Sequence, residues 1–293
     1  MSTTDWPRPL IETADLAARL GDPRLRLFEC TTVLTPLPDH SGYRAESGRA
    51  LYDTGHLPGA AFVDLLTELS DTTSPLRFTM PEPERLAAAL GRAGVTPGAF
   101  VVIYCRSHNT MAARLWWMLR AIGFDDAAVL SGGWKKWTSE GRPVSTQAAP
   151  YAPATLVARP RPGLFVGKEA VLAAIHDPRT LLVNALSREQ HEGRGGIHYG
   201  RAGRIPGSHC VPARELTDPA TQAYLPPARL QEMFAAAGAI GAKSPHRVIT
   251  YCGGGIAASS DALILTLLGA PDVAVYDNSL SEWARDPSLP MEA

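Results

Sequence analysis

Short apolar runs rich in β-branched and aromatic residues alternate with longer helical patterns, and the alternation runs through twice. Leu25 to Cys30, Ala99 to Tyr104 and Ala127 to Leu130 read as strands in the first half. Thr180 to Asn184, Val248 to Tyr251 and Val273 to Tyr276 read as strands in the second. Helices are predicted over Glu12 to Leu20, Glu84 to Leu90, Thr110 to Ile122, Glu169 to Ile175, Pro227 to Ala236 and Ile256 to Leu268. Gly123 and Gly269 close two of them, as left-handed helix ends require. The stretch through Tyr43, Arg44 and Arg49 is polar, and no element is assigned to it.

The two halves keep a nearly constant offset. Gly59 to Gly207 is 148 residues, Cys105 to Cys252 is 147, and both Gly123 to Gly269 and Trp137 to Trp283 are 146. Landmarks in one order with so little drift indicate a tandem duplication of one α/β domain. Residues 1–145 form the first copy, a Pro-, Ala- and Arg-rich segment 146–163 the linker, and residues 164–293 the second copy. Alternating strands and helices predict a mainly parallel sheet with helices on both faces. Ligands in such sheets bind beyond the carboxyl ends of strands, where Cys105 and Cys252 both fall.

The densest chemistry is Tyr251-Cys252-Gly253-Gly254-Gly255-Ile256-Ala257: strand, thiol, glycine loop, helix. Glycines let a loop curl so that backbone N–H groups converge, and the helix N-terminus adds partial positive charge. A thiol there is expected to be partly thiolate, and the amides form a seat for an anion. The bland alternative is an inert strand-end cysteine. Cys30 and Cys210 are read that way, and His56 as a hydrogen-bonder in its turn.

Composition narrows the field. The 293 residues carry 45% hydrophobic and 19% charged residues with net charge −1, so no global field recruits nucleic acid or an anionic membrane. Four widely spaced cysteines give neither a disulfide framework nor zinc spacing. No signal-like N-terminus or bilayer-length apolar run is present, so a cytoplasmic location is expected.

Several segments together resemble the tandem-domain rhodanese-like sulfurtransferases, which act on thiosulfate or 3-mercaptopyruvate. They are Gly55-His56-Leu57-Pro58-Gly59-Ala60, Arg114 to Arg120, Gly132-Gly133-Trp134 with Trp137, Ile205-Pro206-Gly207, Cys252-Gly253-Gly254-Gly255, and Tyr276 to Trp283. The resemblance spans essentially the whole chain. It implies two tandem rhodanese-like domains and a catalytic Cys252 in the second, facing the first. The implied reaction moves sulfane sulfur through a Cys252 persulfide cradled by the amides of Gly253, Gly254, Gly255, Ile256 and Ala257. A thiol, cyanide or a protein thiol such as thioredoxin then takes the sulfur. No metal or organic cofactor is implied, because sulfur is itself the electrophile.

The departures bear on the donor. Gly254 replaces the serine typical of mercaptopyruvate enzymes, and Ala257 the common threonine. Asn184-Ala185-Leu186 replaces the family's Asp-Ser/Ala-Arg, and Gln190 falls near a further substrate arginine; Arg188 and Arg194 are the nearest substitutes. Thiosulfate is therefore the expected donor, with 3-mercaptopyruvate or a silent binding module as alternatives. A phosphatase of related fold needs Cys-x5-Arg, but Met111 and Ala258 occupy the arginine positions. Cys105, followed by Arg106-Ser107-His108-Asn109, is a possible second thiol site, expected to be open to alkylation but not to carry sulfur.

Overall fold

Each half of the chain builds a five-stranded, all-parallel sheet in the computed structural model, which describes residues 9–149, 151–241 and 244–293. Residues 1–8, searched for a leader, and Lys243 lie outside the described residues. The first half contains β1 (Leu10–Ile11), β2 (Leu25–Glu29), β3 (Thr32–Pro36), β4 (Tyr43–Ser47), β5 (Ala60–Phe62), β6 (Phe100–Tyr104) and β7 (Ala127–Leu130). Its helices are α1 (Thr13–Ala17), α2 (Arg49–Thr54), α3 (Pro83–Arg92), α4 (Thr110–Ala121) and α5 (Gly133–Ser139). The second half adds β8 (Phe165–Val166), β9 (Thr180–Asn184), β10 (His209–Cys210), β11 (Arg247–Tyr251) and β12 (Val273–Tyr276). Its helices are α6 (Lys168–Ala174), α7 (Arg188–His191), α8 (Pro227–Ala236), α9 (Ile256–Leu267) and α10 (Ser279–Trp283).

The sheet orders are β1-β7-β6-β2-β5 and, from the matching edge, β8-β12-β11-β9-β10, the same topology twice. Small contacts repeat with it. Tyr104 Oη accepts the N–H of Leu57 at 3.0 Å and Tyr251 Oη that of Ile205 at 3.1 Å. Trp137 Nε1 donates to Pro143 O at 2.8 Å and Trp283 Nε1 to Pro290 O at 2.9 Å. The central strands β6 and β11 are buried on both faces, which is why they read as unbroken apolar runs.

Helices α4 and α9 are apolar nearly all round because they pack on each other as well as on their own sheets. One continuous apolar cluster, including Trp116, Trp117, Leu263 and Ile264, therefore runs through both halves. The docking is reciprocal. The N–H of Met80 donates to Asp277 Oδ2 at 2.8 Å, and the N–H of Tyr224 to Ser131 Oγ at 3.1 Å.

One segment differs from expectation. The polar stretch after Cys30 contains the antiparallel hairpin β3–β4, whose turn offers the His40 carbonyl to the N–H of His198 at 2.7 Å. Its half-exposed strands lack a continuous apolar face, so periodicity does not reveal it. Between the two sheets, Tyr151 and Ala154 bind the first domain. Tyr151 Oη accepts the N–H of Leu27 at 2.9 Å and donates to Gly59 O at 2.6 Å, while the N–H of Ala154 donates to Gly91 O at 2.8 Å.

Candidate active site

Cys252 follows the last residue of β11, 2% exposed, with only three residues before α9 begins. Gly255 caps that helix at φ +73°, a conformation open to glycine, and a Cβ there would overlap the carbonyl of Asp277. The turn after β12 holds the loop from below. Leu280 N–H donates to Cys252 O at 3.1 Å and Ser281 N–H to Gly253 O at 2.7 Å. Ser279 Oγ accepts the amides of Cys252 (3.1 Å) and Gly255 (3.2 Å) while donating to Tyr276 O at 2.8 Å. Ser279 has φ +50°, a left-handed value that a side chain resists. The corresponding residue in the first domain is Gly133, at φ +48°.

The amide of Gly255 is thus tied to Ser279 rather than turned to a ligand, which removes it from the expected cradle. Ile256 and Ala257 open α9 and have no intrahelical acceptor for their N–H groups. Among the described residues the amides of Gly253 and Gly254 also donate to none. Four backbone donors beside a thiol at a helix N-terminus suit an anionic sulfur or oxyanion.

Two aromatic and cationic neighbours escaped the sequence reading. The Tyr199 ring lies on Gly253 so closely that a Cβ there would overlap Cζ and Oη. Burial pushes the Tyr199 phenol far up, with the Cys252 and Tyr43 charges adding and Arg214 opposing. Arg214 is exposed, its charge reaches both Tyr199 and His108, and among the described residues it has no ion-pair partner. Tyr199 belongs to no motif; only the folded chain brings it to Gly253.

The arginines expected to bind substrate each have a carboxylate partner. Arg188 pairs with Glu215 at 2.8 Å on the surface, and Arg194 pairs with Glu192 next to it in the loop. Arg201 donates to the carbonyls of Leu289 (2.8 Å) and Asp286 (2.6 Å), and Arg204 pairs with Glu292, so both fasten the C-terminal segment. Local carboxylates and carbonyls thus engage all four arginines of this loop.

Cys105 is 1% exposed; its thiol donates to Ser107 O at 3.0 Å, and burial raises its pKa. Against the expectation of an alkylatable Cys105, the bonded thiol and its raised pKa leave little thiolate; burial alone does not set it apart, since Cys252 is 2% exposed. Arg106 turns to Glu29 at 2.9 Å and stacks on Trp134 at 3.9 Å. The first loop also holds four residues before α4 where the second holds three before α9. Its counterpart of Gly255 is consequently Asn109, and both His108 (φ +36°) and Asn109 (φ +56°) adopt the left-handed conformation despite their side chains. Cys30 is buried, and its thiol donates to Tyr104 O at 3.6 Å. Cys210, raised to about 12 by burial, donates to Leu186 O at 3.5 Å. His56 faces Tyr52 O (3.0 Å) and Gln147 O (2.9 Å) and stacks on Tyr52, in keeping with a turn-holding role.

A duplicated parallel sheet with a cysteine–glycine loop at its central strand defines the class, and the Rhodanese-like domain family model matches residues 12–140 and 168–286. The chain belongs to that family and carries its domain in tandem. It is 30% identical over 302 residues to the 3-mercaptopyruvate sulfurtransferase of Escherichia coli, covering 100% of this chain and 99% of that one. It is 32% identical over 246 residues to the thiosulfate sulfurtransferase of Rattus norvegicus, covering 81% and 80%. The crystal structure of SseA from Escherichia coli, described as a 3-mercaptopyruvate sulfotransferase, superposes with TM-score 0.80 at 27% identity, covering 93% of this chain and 99% of that one. Among the described residues no helix is long and apolar enough to cross a membrane.

Proposed function

We propose that this protein is a rhodanese-type sulfurtransferase that uses Cys252 as a sulfur carrier, with thiosulfate as its preferred donor. The thiolate attacks the outer sulfur of thiosulfate, the sulfur–sulfur bond breaks, and sulfite leaves with the bonding pair. The persulfide then yields its outer sulfur to cyanide, a small thiol or a protein thiol such as thioredoxin, and Cys252 leaves as thiolate. Such an enzyme would work in the cytoplasm, where thiols stay reduced.

The observation that carries the reading is the Cys252 loop itself: a thiol among the unpartnered amides of Gly253, Gly254, Ile256 and Ala257 at the start of α9. Arg214 supplies an unpaired cation toward Tyr199 for a dianionic donor. The second reading, 3-mercaptopyruvate, is favoured by the name of the Escherichia coli relative. Against it, Leu186 stands where the family has an arginine, and Arg188 and Arg194 are held by carboxylates. Side-by-side kcat/KM values for the two donors, with cyanide as acceptor, test the choice. A clear advantage for mercaptopyruvate would overturn the thiosulfate reading, and no transfer from either would overturn the enzyme.

A further inference from the structure

The first domain contributes a charge to the second domain's loop. Arg114, on α4, is 1% exposed, and its guanidinium lies 4.5 Å from the centre of the Phe165 ring. Nη2 donates to Asp277 Oδ1 at 2.5 Å and to Phe78 O at 2.6 Å. Nε and Nη1 are buried with no hydrogen-bond partner. Nη1 would stand 2.9 Å from a Cβ at Gly255, so it faces the underside of the loop that carries Cys252. Asp277 in turn accepts the N–H of Met80, drawing its negative charge toward the first domain. The bridge is thus a dipole whose unsatisfied positive end meets the loop.

A buried charge lacking full compensation is costly unless it is used, because low dielectric strengthens its reach. We infer that Arg114 is a positioning residue of the Cys252 site, holding the loop through Asp277 and placing a positive charge beneath it that favours anionic sulfur. The duplicated first domain is then required for chemistry although its own cysteine is inert. The inference rests on Cys252 as the reacting thiol.

Among the described residues, the titratable or charged groups beside the loop include Arg114 from α4, Asp277 from the turn after β12, Tyr199 over Gly253, and the buried Asp261 further along α9. Substituting Arg114 or Asp277 breaks the same bridge but changes opposite charges.

The test is the pH dependence of iodoacetamide alkylation, mapped to the Cys252 peptide by mass spectrometry in the full-length protein. Arg114→Gln is expected to raise the midpoint and Asp277→Asn to lower it, each by about one pH unit, as for a charge a few ångströms away. Arg114→Lys should keep the midpoint near wild type while lowering kcat, because the charge stays and the fork is lost. Shifts of both midpoints in one direction, or an unmoved midpoint in Asp277→Asn, would overturn the inference, since lost docking alone predicts one direction for both. Should circular dichroism show Arg114→Gln unfolded, Asp277→Asn decides by itself. The readout needs no sulfur donor. Full transfer activity in Cys252→Ser would sink the proposed function while leaving the two charge shifts interpretable.

Discussion

Ser279 Oγ accepts the backbone N–H of Cys252 at 3.1 Å, and the same oxygen accepts that of Gly255. One hydroxyl therefore sets both ends of the candidate catalytic loop, at the cost of a left-handed backbone in a residue with a side chain. Ser279→Gly relieves that strain and removes the hydroxyl. Two hydrogen bonds at about 1 kcal/mol each predict a ten- to thirty-fold loss of sulfur transfer, with Tm nearly unchanged. Full activity in the glycine variant would show that the loop keeps its shape unaided.

Cys252 and Cys105 should part company in every thiol assay. Cys252→Ser is expected to lose transfer, and Cys105→Ser to keep it, because the Cys105 thiol is buried, raised in pKa and bonded to Ser107 O. After thiosulfate without acceptor, a gain of about 32 Da, one sulfur atom, belongs on the Cys252 peptide alone. Sulfur on the Cys105 peptide, or its alkylation in the native protein, would contradict the geometry.

Tyr199 and Gly253 form a tight pair. Gly253→Ala places a methyl inside the ring and should cost about 1–3 kcal/mol of stability, as overpacking does. Tyr199→Ala in the same chain is expected to recover most of that loss in a thermal melt. An unchanged Tm in Gly253→Ala would mean that the ring moves freely off the loop.

The proposed donor binding draws on Arg214, which is exposed and has no ion-pair partner among the described residues. Arg214→Ala should raise KM for thiosulfate about three- to tenfold with kcat little changed, and added salt should shrink the difference. A fall in kcat at constant KM would assign Arg214 to the chemical step instead.

Asp261 lies on α9, 0% exposed, with neither carboxylate oxygen hydrogen-bonded, and burial raises its pKa well above the carboxylate range. Below about pH 3.9, the unfolded value, the group is protonated in both states. As pH rises, the unfolded chain ionises and the folded one does not, so stability is lost up through the folded pKa. Asp261→Asn should therefore melt higher than wild type at pH 8, with the gap closing toward pH 4. A lower melting temperature at pH 8 would place a hidden counter-charge beside Asp261.

Much of this protein was legible from residue order alone. The strands around Cys105 and Cys252 and the helices after them are local patterns, set by β-branched runs, apolar periodicity and glycine stops. The duplication was legible too, because its offsets survive without any structure. The candidate nucleophile stands out because a strand, a thiol and three glycines are contiguous. What the order could not give is contact across chain separation. Tyr199 meets Gly253, Arg114 reaches under Gly255, and Ser279 binds two loop amides only after the sheets form and α4 packs on α9. The arginines misled for the same reason. Their charge is local, but whether a carboxylate neutralises it is decided by tertiary neighbours: Glu215 claims Arg188, while Arg214 has no ion-pair partner among the described residues.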